Sequence, residues 1–524
     1  MILTKPNADI APGTRPQLSL CMIVRDSSRT LGACLQSAKP WVDEIIIVDT
    51  GSVDDTINIA RRYGARIAEF PWCDDFSAAR NASVKQATGE WIFWMDSDDT
   101  IDPANGQKLR NLVRHSHPPA NMGFILQVHC PGSTTAGPYA TATVVDHVKV
   151  FRNIPGIEFS GRIHEQVLPA IRRLGGEVTW TDIFVVHSGS DVTPEGRVRK
   201  QERDIRILQL ELSETPDSTF TLFNVGMTLL DAGHPAEALN ALCRSLQLAS
   251  SGESHLRKLY AFIVQAYTEL ERRETALWTC LQGLRVCPDD PELVFRRAVL
   301  EQSLGQLDQA EASYRALTTL PRKQHFSSLD CGILGVKCWH NLAILYTQRR
   351  QHSAAAEAWR QVLEFDTTSH DAWRGLMDSL TELAEIAGLE RLCTDIRTVG
   401  VSANLVAIAD ARLRSRQGQG RAAIELLQQA RHADDSDEIL LELSAIAFYH
   451  NLHDHAEQAL TELVQRCPEN AAILHNLAAV HLQKGQYNKA LEIARRSLAL
   501  RPDHPPTNRL LDTALAQSSS TNIG

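Results

Sequence analysis

The sequence predicts a two-part chain: an α/β domain built on buried parallel strands, followed by a longer all-helical repeat domain. Two observations predict this. Over roughly the first 190 residues, apolar runs of strand length alternate with helix-compatible stretches, and the first of these runs end in acids. Further on, a helical pattern recurs at a spacing of about 34 residues. At 524 residues the chain can bury two or more cores.

Residues 1–17 hold no apolar core for a signal peptide and are expected to be a flexible N-terminus. Leu18 to Val24 is a continuous apolar run closed by Arg25-Asp26, and Leu31 to Ala38 is helix-compatible. Glu44 to Val48 is a second strand, closed by Asp49-Thr50-Gly51-Ser52. Asp54-Asp55-Thr56 then caps a helix that runs to Tyr63, with Gly64 as its stop. Trp91 to Trp94 reads as another buried strand and runs into Asp96, Asp98 and Asp99. In an open α/β sheet, ligands sit outside the carboxyl ends of the strands. Acids spaced i and i+2 at that edge can converge on one hard cation, which can hold a diphosphate. The same Ser-Asp-Asp run also suits a solvated turn. Two acidic strand ends in one sheet, Asp49 and Asp96, favour a nucleotide site. Val148 to Phe151 and Ile183 to Val186 are further strands, the latter followed by His187.

Gly196 to Glu214 reads as a helix within a connecting stretch, 196–217. The repeats follow over 218–510. Ala238, Ala276, Ala310, Ala355, Ala423, Ala456 and Ala490 mark the small position at which two helices of a hairpin approach closely. The double gap from Ala355 to Ala423 leaves room for a degenerate repeat around Trp373. The long gap before Ala355 places an insertion or a long inter-repeat loop at 323–335. This is the tetratricopeptide (TPR) spacing, and about eight repeats would form a right-handed solenoid. Its inner surface suits an extended peptide, with dimerisation or rigidity as the competing role. Residues 511–524 are expected to be a disordered tail.

Three motifs occur in order: Ile45-Ile46-Ile47-Val48-Asp49-Thr50-Gly51-Ser52-Val53-Asp54-Asp55-Thr56, Phe76-Ser77-Ala78-Ala79-Arg80-Asn81, and Asp96-Ser97-Asp98. Together they resemble the family-2 glycosyltransferases of GT-A fold, a Rossmann-like nucleotide-diphospho-sugar transferase domain, in the subgroup followed by tetratricopeptide repeats. The resemblance covers residues 18–195 as the catalytic part. It implies that Asp49 hydrogen-bonds the base, usually uracil, and that Asp96 lies near the ribose and metal. It also implies Asp98 as the direct ligand of Mn²⁺ or Mg²⁺, with Arg80 and Asn81 contacting the diphosphate or sugar. His187 stands where this fold often supplies a further metal ligand. Where many members carry a second acid, this chain has Thr50, which puts any role for that acid in doubt.

An inverting transfer needs a general base. Glu165, within Gly161-Arg162-Ile163-His164-Glu165, resembles the His-Glu segment of the subgroup, and Asp146 is its rival, with Asp99 a weaker one. The expected activity is hexosyltransferase-type: a sugar moves from a nucleotide donor, UDP-linked foremost, to a hydroxyl or thiol. The acceptor would be a polypeptide recruited by the repeats, and a protein partner is expected on the TPR surface. The loops around Phe76, His129 to Tyr139 and His164 would set donor choice. Competing readings are glycan or glycolipid synthesis with the repeats as an assembly module, a silent GT-A domain on a repeat scaffold, and a nucleotidyltransferase. The last expects a Gly-rich phosphate loop, which Arg25-Asp26-Ser27-Ser28 is not.

Composition agrees with a soluble cytoplasmic enzyme: 43% hydrophobic, 22% charged, net charge −10. That charge argues against nucleic acid as a partner. The eleven cysteines show no paired Cys-x-x-Cys, and no run is long enough to span a membrane.

Overall fold

The computed structural model describes residues 17–115, 121–130, 143–189, 193–320 and 329–521. Most of the expected flexible N-terminus, residues 131–139 of the expected donor loop and the last three residues lie outside them. The chain divides into two compact units, Met1–Cys338 and Trp339–Gly524.

In the first unit, β1 (Leu18–Val24), α1 (Leu31–Ala38), β2 (Glu44–Asp49), α2 (Thr56–Arg62), β3 (Arg66–Glu69), α3 (Phe76–Gln86) and β4 (Trp91–Trp94) alternate along the chain. Strands β2 and β4 flank β1, β3 lies outside β2, and all these pairings are parallel. Both faces are buried. Leu18, Leu20, Met22, Trp91 and Phe93 pack into one layer, while Cys21, Ile46, Ile92 and Trp94 pack into the other. That two-sided burial is why these strands read as continuous apolar runs.

Beyond β4 the pairing direction changes. β5 (Asp99–Thr100), α4 (Pro103–His115), β6 (Asn121–Cys130), β7 (Thr143–Arg152), α5 (Leu168–Arg173) and β8 (Glu177–His187) complete the domain. β7 joins β4 and β6 antiparallel, β6 joins β8 in parallel, and β5 caps β8 antiparallel.

The connecting segment is α6 (Pro194–Glu214), started by Thr193, whose side chain accepts from Gly196 N. It is packed rather than free: Ile207 and Leu208 bury against Ile163, Trp72, Phe76 and Val225. Next come α7 (Thr219–Asp231) with α8 (Pro235–Leu248), α9 (Leu256–Glu269) with α10 (Arg273–Val286), and α11 (Pro291–Ser303) with α12 (Leu307–Thr319). The sequence-predicted insertion after α12 contributes β9 (Leu329–Asp330), which pairs antiparallel with the start of β7. It thus adds a strand to the sheet of the first unit, which a repeat spacing cannot reveal.

A fourth hairpin, Val336–Gln348 with His352–Phe365, spans the division between the units. Four more, from His370–Glu382 to Tyr487–Leu500, follow in the second, so the described residues hold eight. Each marker alanine is the fourth residue of its hairpin's second helix and is fully buried. The missing marker is Leu389, equally placed and equally buried, so the degenerate repeat folds like the others. One expectation is corrected. Residues 511–521 are not a disordered tail but continue the helix Pro505–Thr521, because Leu510, Leu511 and Ala514 cover the apolar edge of the last hairpin. Among the described residues no helix is long and apolar enough to cross a membrane.

Candidate active site

The carboxyl ends of β2 and β4 carry the acids singled out by sequence. Asp49 is buried, and its carboxylate accepts from Ser52 Oγ at 2.6 Å, Ser52 N at 3.1 Å and Gly51 N at 3.3 Å. It therefore shapes the turn that follows β2, and Gly51 adopts φ +107° there, a backbone region that favours glycine.

After β4, Asp96, Asp98 and Asp99 diverge in environment. Asp99 begins β5 and lies directly opposite His187 across the β5–β8 pair, so the two side chains share a face. Its Oδ1 is 2.9 Å from His187 Nδ1, and its Oδ2 accepts from Lys149 Nζ at 2.8 Å and from Asp96 N at 3.0 Å. Ligand atoms of Asp96, Asp99 and His187 all lie within 4.8 Å of one another. The turn Asp99 N to Asp96 O (3.1 Å) brings Asp99, which the sequence offered only as a weaker base, into the set, and Asp98, the expected ligand, stands beside it with Oδ1 3.5 Å from His187 Nδ1.

Electrostatics separate the three acids. Burial disfavours ionised Asp96, but Arg80 and Lys149 override it and hold its carboxyl well below the usual range. Burial likewise opposes Asp99, and Lys149 with His187 lowers it. Burial pushes the Asp98 carboxyl up, with only partial relief from His187. The hydrogen bond to Asp99 raises the His187 imidazole. Carboxylates and one imidazole converging on a point form a donor set that fits Mn²⁺ or Mg²⁺.

Arg80, on α3, is buried and spans two carboxylates. Its Nη2 donates to Asp96 Oδ1 at 2.7 Å and its Nε donates to Glu165, while its guanidinium lies 4.2 Å from the Trp94 ring centroid. Lys149 Nζ is 3.7 Å from the same centroid. Arg80 is therefore committed to bracing Asp96 and Glu165, with only Nη1 left unpartnered. Asn81 is not brought to the site: its amide donates to Phe159 O (2.9 Å) and accepts from Phe159 N (2.8 Å), fixing the segment before the Glu165 turn.

That turn is closed by reciprocal hydrogen bonds between Ser160 and Gln166, with His164 at φ +55°. Arg162 ties it outward: its carbonyl accepts from Phe76 N at 2.8 Å, and its N–H donates to Glu211 of α6 at 3.0 Å. Asp146, the rival base, sits on β7 in the wall of a cleft of about 1020 Å³ that also holds Asp96, His164 and Glu165. Two participants were missed from sequence, Lys149 and Trp94. A lone lysine inside the apolar run Val148-Lys149-Val150-Phe151 was the available signal, since a buried ammonium requires a carboxylate.

Residues 19–134 match the glycosyl transferase family 2 model, and residues 447–513 match a tetratricopeptide repeat model. A TPR repeat-containing protein of Synechococcus elongatus is 32% identical over 359 residues, 66% of this chain and 75% of that protein. The chain belongs to the family-2 glycosyltransferases that carry tetratricopeptide repeats. The SPbeta prophage-derived glycosyltransferase SunS of Bacillus subtilis is 26% identical over 239 residues; the match covers 44% of this chain and 53% of SunS, so it spans about half the length of that relative. A tetratricopeptide repeat protein from Parabacteroides merdae overlays 57% of this chain and 99% of its own at 13% identity, with a TM-score of 0.38.

Proposed function

We propose that the N-terminal domain is a metal-dependent, inverting glycosyltransferase that moves a sugar from a UDP-sugar to a hydroxyl or thiol, and that the acceptor is a polypeptide engaged by the repeats. The observation that carries this reading is the Arg80 bridge. It fixes Glu165, the proposed base, at one short remove from the acid cluster at the end of β4.

In this mechanism Asp49 and the turn it shapes receive the nucleotide base. Asp96, Asp99 and His187, with Asp98 alongside, would hold a divalent cation, which would supply charge to offset that of the departing diphosphate. Glu165 accepts the acceptor's proton as its oxygen or sulfur attacks the anomeric carbon. Arg80 keeps the Glu165 carboxylate oriented toward the cleft and balances its charge. Asp146 lines the same cleft and would take the proton only if Glu165 does not.

The experiment is calorimetry and thermal shift with nucleoside diphosphates and nucleotide sugars, with and without Mn²⁺. Saturable, Mn²⁺-dependent binding of one nucleotide is expected, and Asp99→Asn or His187→Ala should weaken it at least about tenfold. No binding by any nucleotide would favour a silent catalytic domain on a repeat scaffold.

A further inference from the structure

The turn that carries Glu165 is anchored from outside the sheet. Gly161 sits at φ +94° and His164 at φ +55°, and a non-glycine residue in the left-handed region persists only where its surroundings fix it. The reciprocal Ser160–Gln166 bonds close the two ends of the turn and leave the residues between them to other contacts. Glu211, on α6, reaches those residues. Its Oε2 accepts from Arg162 N at 3.0 Å, and its Oε1 accepts from Thr221 Oγ1 at 3.3 Å. Burial pushes the Glu211 carboxyl up, and hydrogen bonds from Arg162 N, Thr221 and Ile163 N oppose that. Successive backbone N–H groups aimed at one carboxylate form an anion-holding nest. Thr221 belongs to α7, the first helix of the first repeat hairpin.

We infer that Glu211 is a positioning residue for the proposed base: held by Thr221, it fixes the Gly161–Glu165 turn so that the Glu165 carboxylate stays at the guanidinium of Arg80. The first repeat hairpin thereby takes part in the chemical step, apart from any partner the repeats bind. This rests on the transferase reading above and adds to it the residues on which its base depends.

Three features support it. The first is what Glu211 does not do. The Arg162 guanidinium is taken by Glu214, whose Oε2 accepts from Nε at 3.2 Å, and among the described residues Glu211 itself forms no ion pair. A half-buried carboxylate with no cation of its own is costly, and here its oxygens go to the backbone of the turn and to one hydroxyl. The second is the rigidity of its support. On α6, Arg206 Nη2 donates to Asp74 Oδ1 at 2.8 Å, and Ile207 and Leu208 are buried against Ile163. The helix is thus fastened on both sides of the turn it holds. The third is proximity to the reacting group. Only Ile163 and His164 lie between Arg162 and Glu165, so a shift of the anchored N–H groups carries directly to the Glu165 carboxylate.

The test uses the full chain with Mn²⁺. Nucleotide affinity is read by calorimetry with UDP. Turnover is read as UDP released from UDP-glucose, UDP-galactose and UDP-N-acetylglucosamine with water as the acceptor. Glu211→Ala removes both hydrogen bonds and should lower kcat about tenfold to hundredfold, the scale expected when a reacting group is misplaced by about 1 Å, with KM and UDP affinity within about twofold. Glu211→Gln keeps the anchor, because its carbonyl accepts from Arg162 N and its amide donates to the Thr221 hydroxyl, so kcat should stay within about threefold of the parent. Added to Glu165→Gln, Glu211→Ala should cost less than about twofold more, since no base is left to position. Thr221→Val removes the repeat's hydrogen bond, leaves the Ser218 Oγ cap on that residue's N–H in place, and should cost about threefold in kcat. It decides the matter if Glu211→Ala does not fold. Hydrogen exchange across residues 161–166 reads the anchor without turnover and should quicken at least about tenfold in Glu211→Ala but not in Glu211→Gln. Unchanged kcat or unchanged exchange in Glu211→Ala, equal losses in the alanine and glutamine variants, or an equal fold-effect with and without Glu165 would each overturn the inference while leaving the transferase reading intact. Absence of both UDP binding and UDP release in the parent would refute both.

Discussion

Arg80→Ala is the perturbation that tests the site's organisation most directly. The lost bond to Asp96, which is partly open to solvent, is worth about 1 kcal/mol, and the more buried pair with Glu165 about 2 kcal/mol. The cation–π contact on Trp94 adds about 1 kcal/mol. Together these give about 4 kcal/mol, within the usual cost of breaking a buried ion pair. Glu165→Gln keeps an acceptor oxygen for Arg80 and should cost about 1 kcal/mol, and the double variant should show a coupling of about 2 kcal/mol. Melting of a chain with two compact units mixes their transitions, so hydrogen exchange of β4 and α3 segments is the suitable assay. It reports the opening free energy of the elements that Arg80 joins. A loss below about 1 kcal/mol, or a coupling indistinguishable from zero, would show that the bridge contributes no energy and would remove the argument that Arg80 positions Glu165.

Three further outcomes follow from other contacts. Lys149→Met leaves Asp99 without its ammonium partner and should destabilise the first unit by about 3–5 kcal/mol; in hydrogen exchange of β4, Mn²⁺ should then add more protection than it does in the parent, and equal gains would contradict the assignment of these acids to one cation site. His147 is held by burial, reinforced by Lys149, at a pKa of about 4, below its unfolded value. The unfolded chain therefore binds the proton first on acidification, so about 3 kcal/mol of stability present above pH 6.5 is lost by pH 4. Denaturation at stepped pH should show a shallower slope across that window in His147→Asn, and an identical slope would refute the claim. In the second unit, Gly375→Ala places a methyl group against the Trp359 indole and should cost about 1–3 kcal/mol by chemical denaturation, whereas a neutral result would mean that the two helices part readily.

The sequence by itself determined the strand order along the chain, the acids at the ends of β2 and β4, and the hairpin period. Each depends on a local rule: strands buried on both faces are uniformly apolar, and close helix pairs require a small residue every repeat. One repeat departs from it: Leu389 takes the alanine position, equally buried, and so hides the repeat from a search for small residues. The tertiary structure decided what pairing across distance controls. Asp99 joins the acid cluster, beside Asp98, because β5 aligns it with His187, 88 residues later in the chain. Lys149 enters because β7 crosses to β4 antiparallel and brings its ammonium beneath Trp94. Arg80 and Asn81 are neighbours on one helix, yet one braces two carboxylates and the other fastens Phe159, because adjacent helical positions face different surroundings. Hydrophobic period fixes which residues turn inward, but only the packed chain fixes which of them meet.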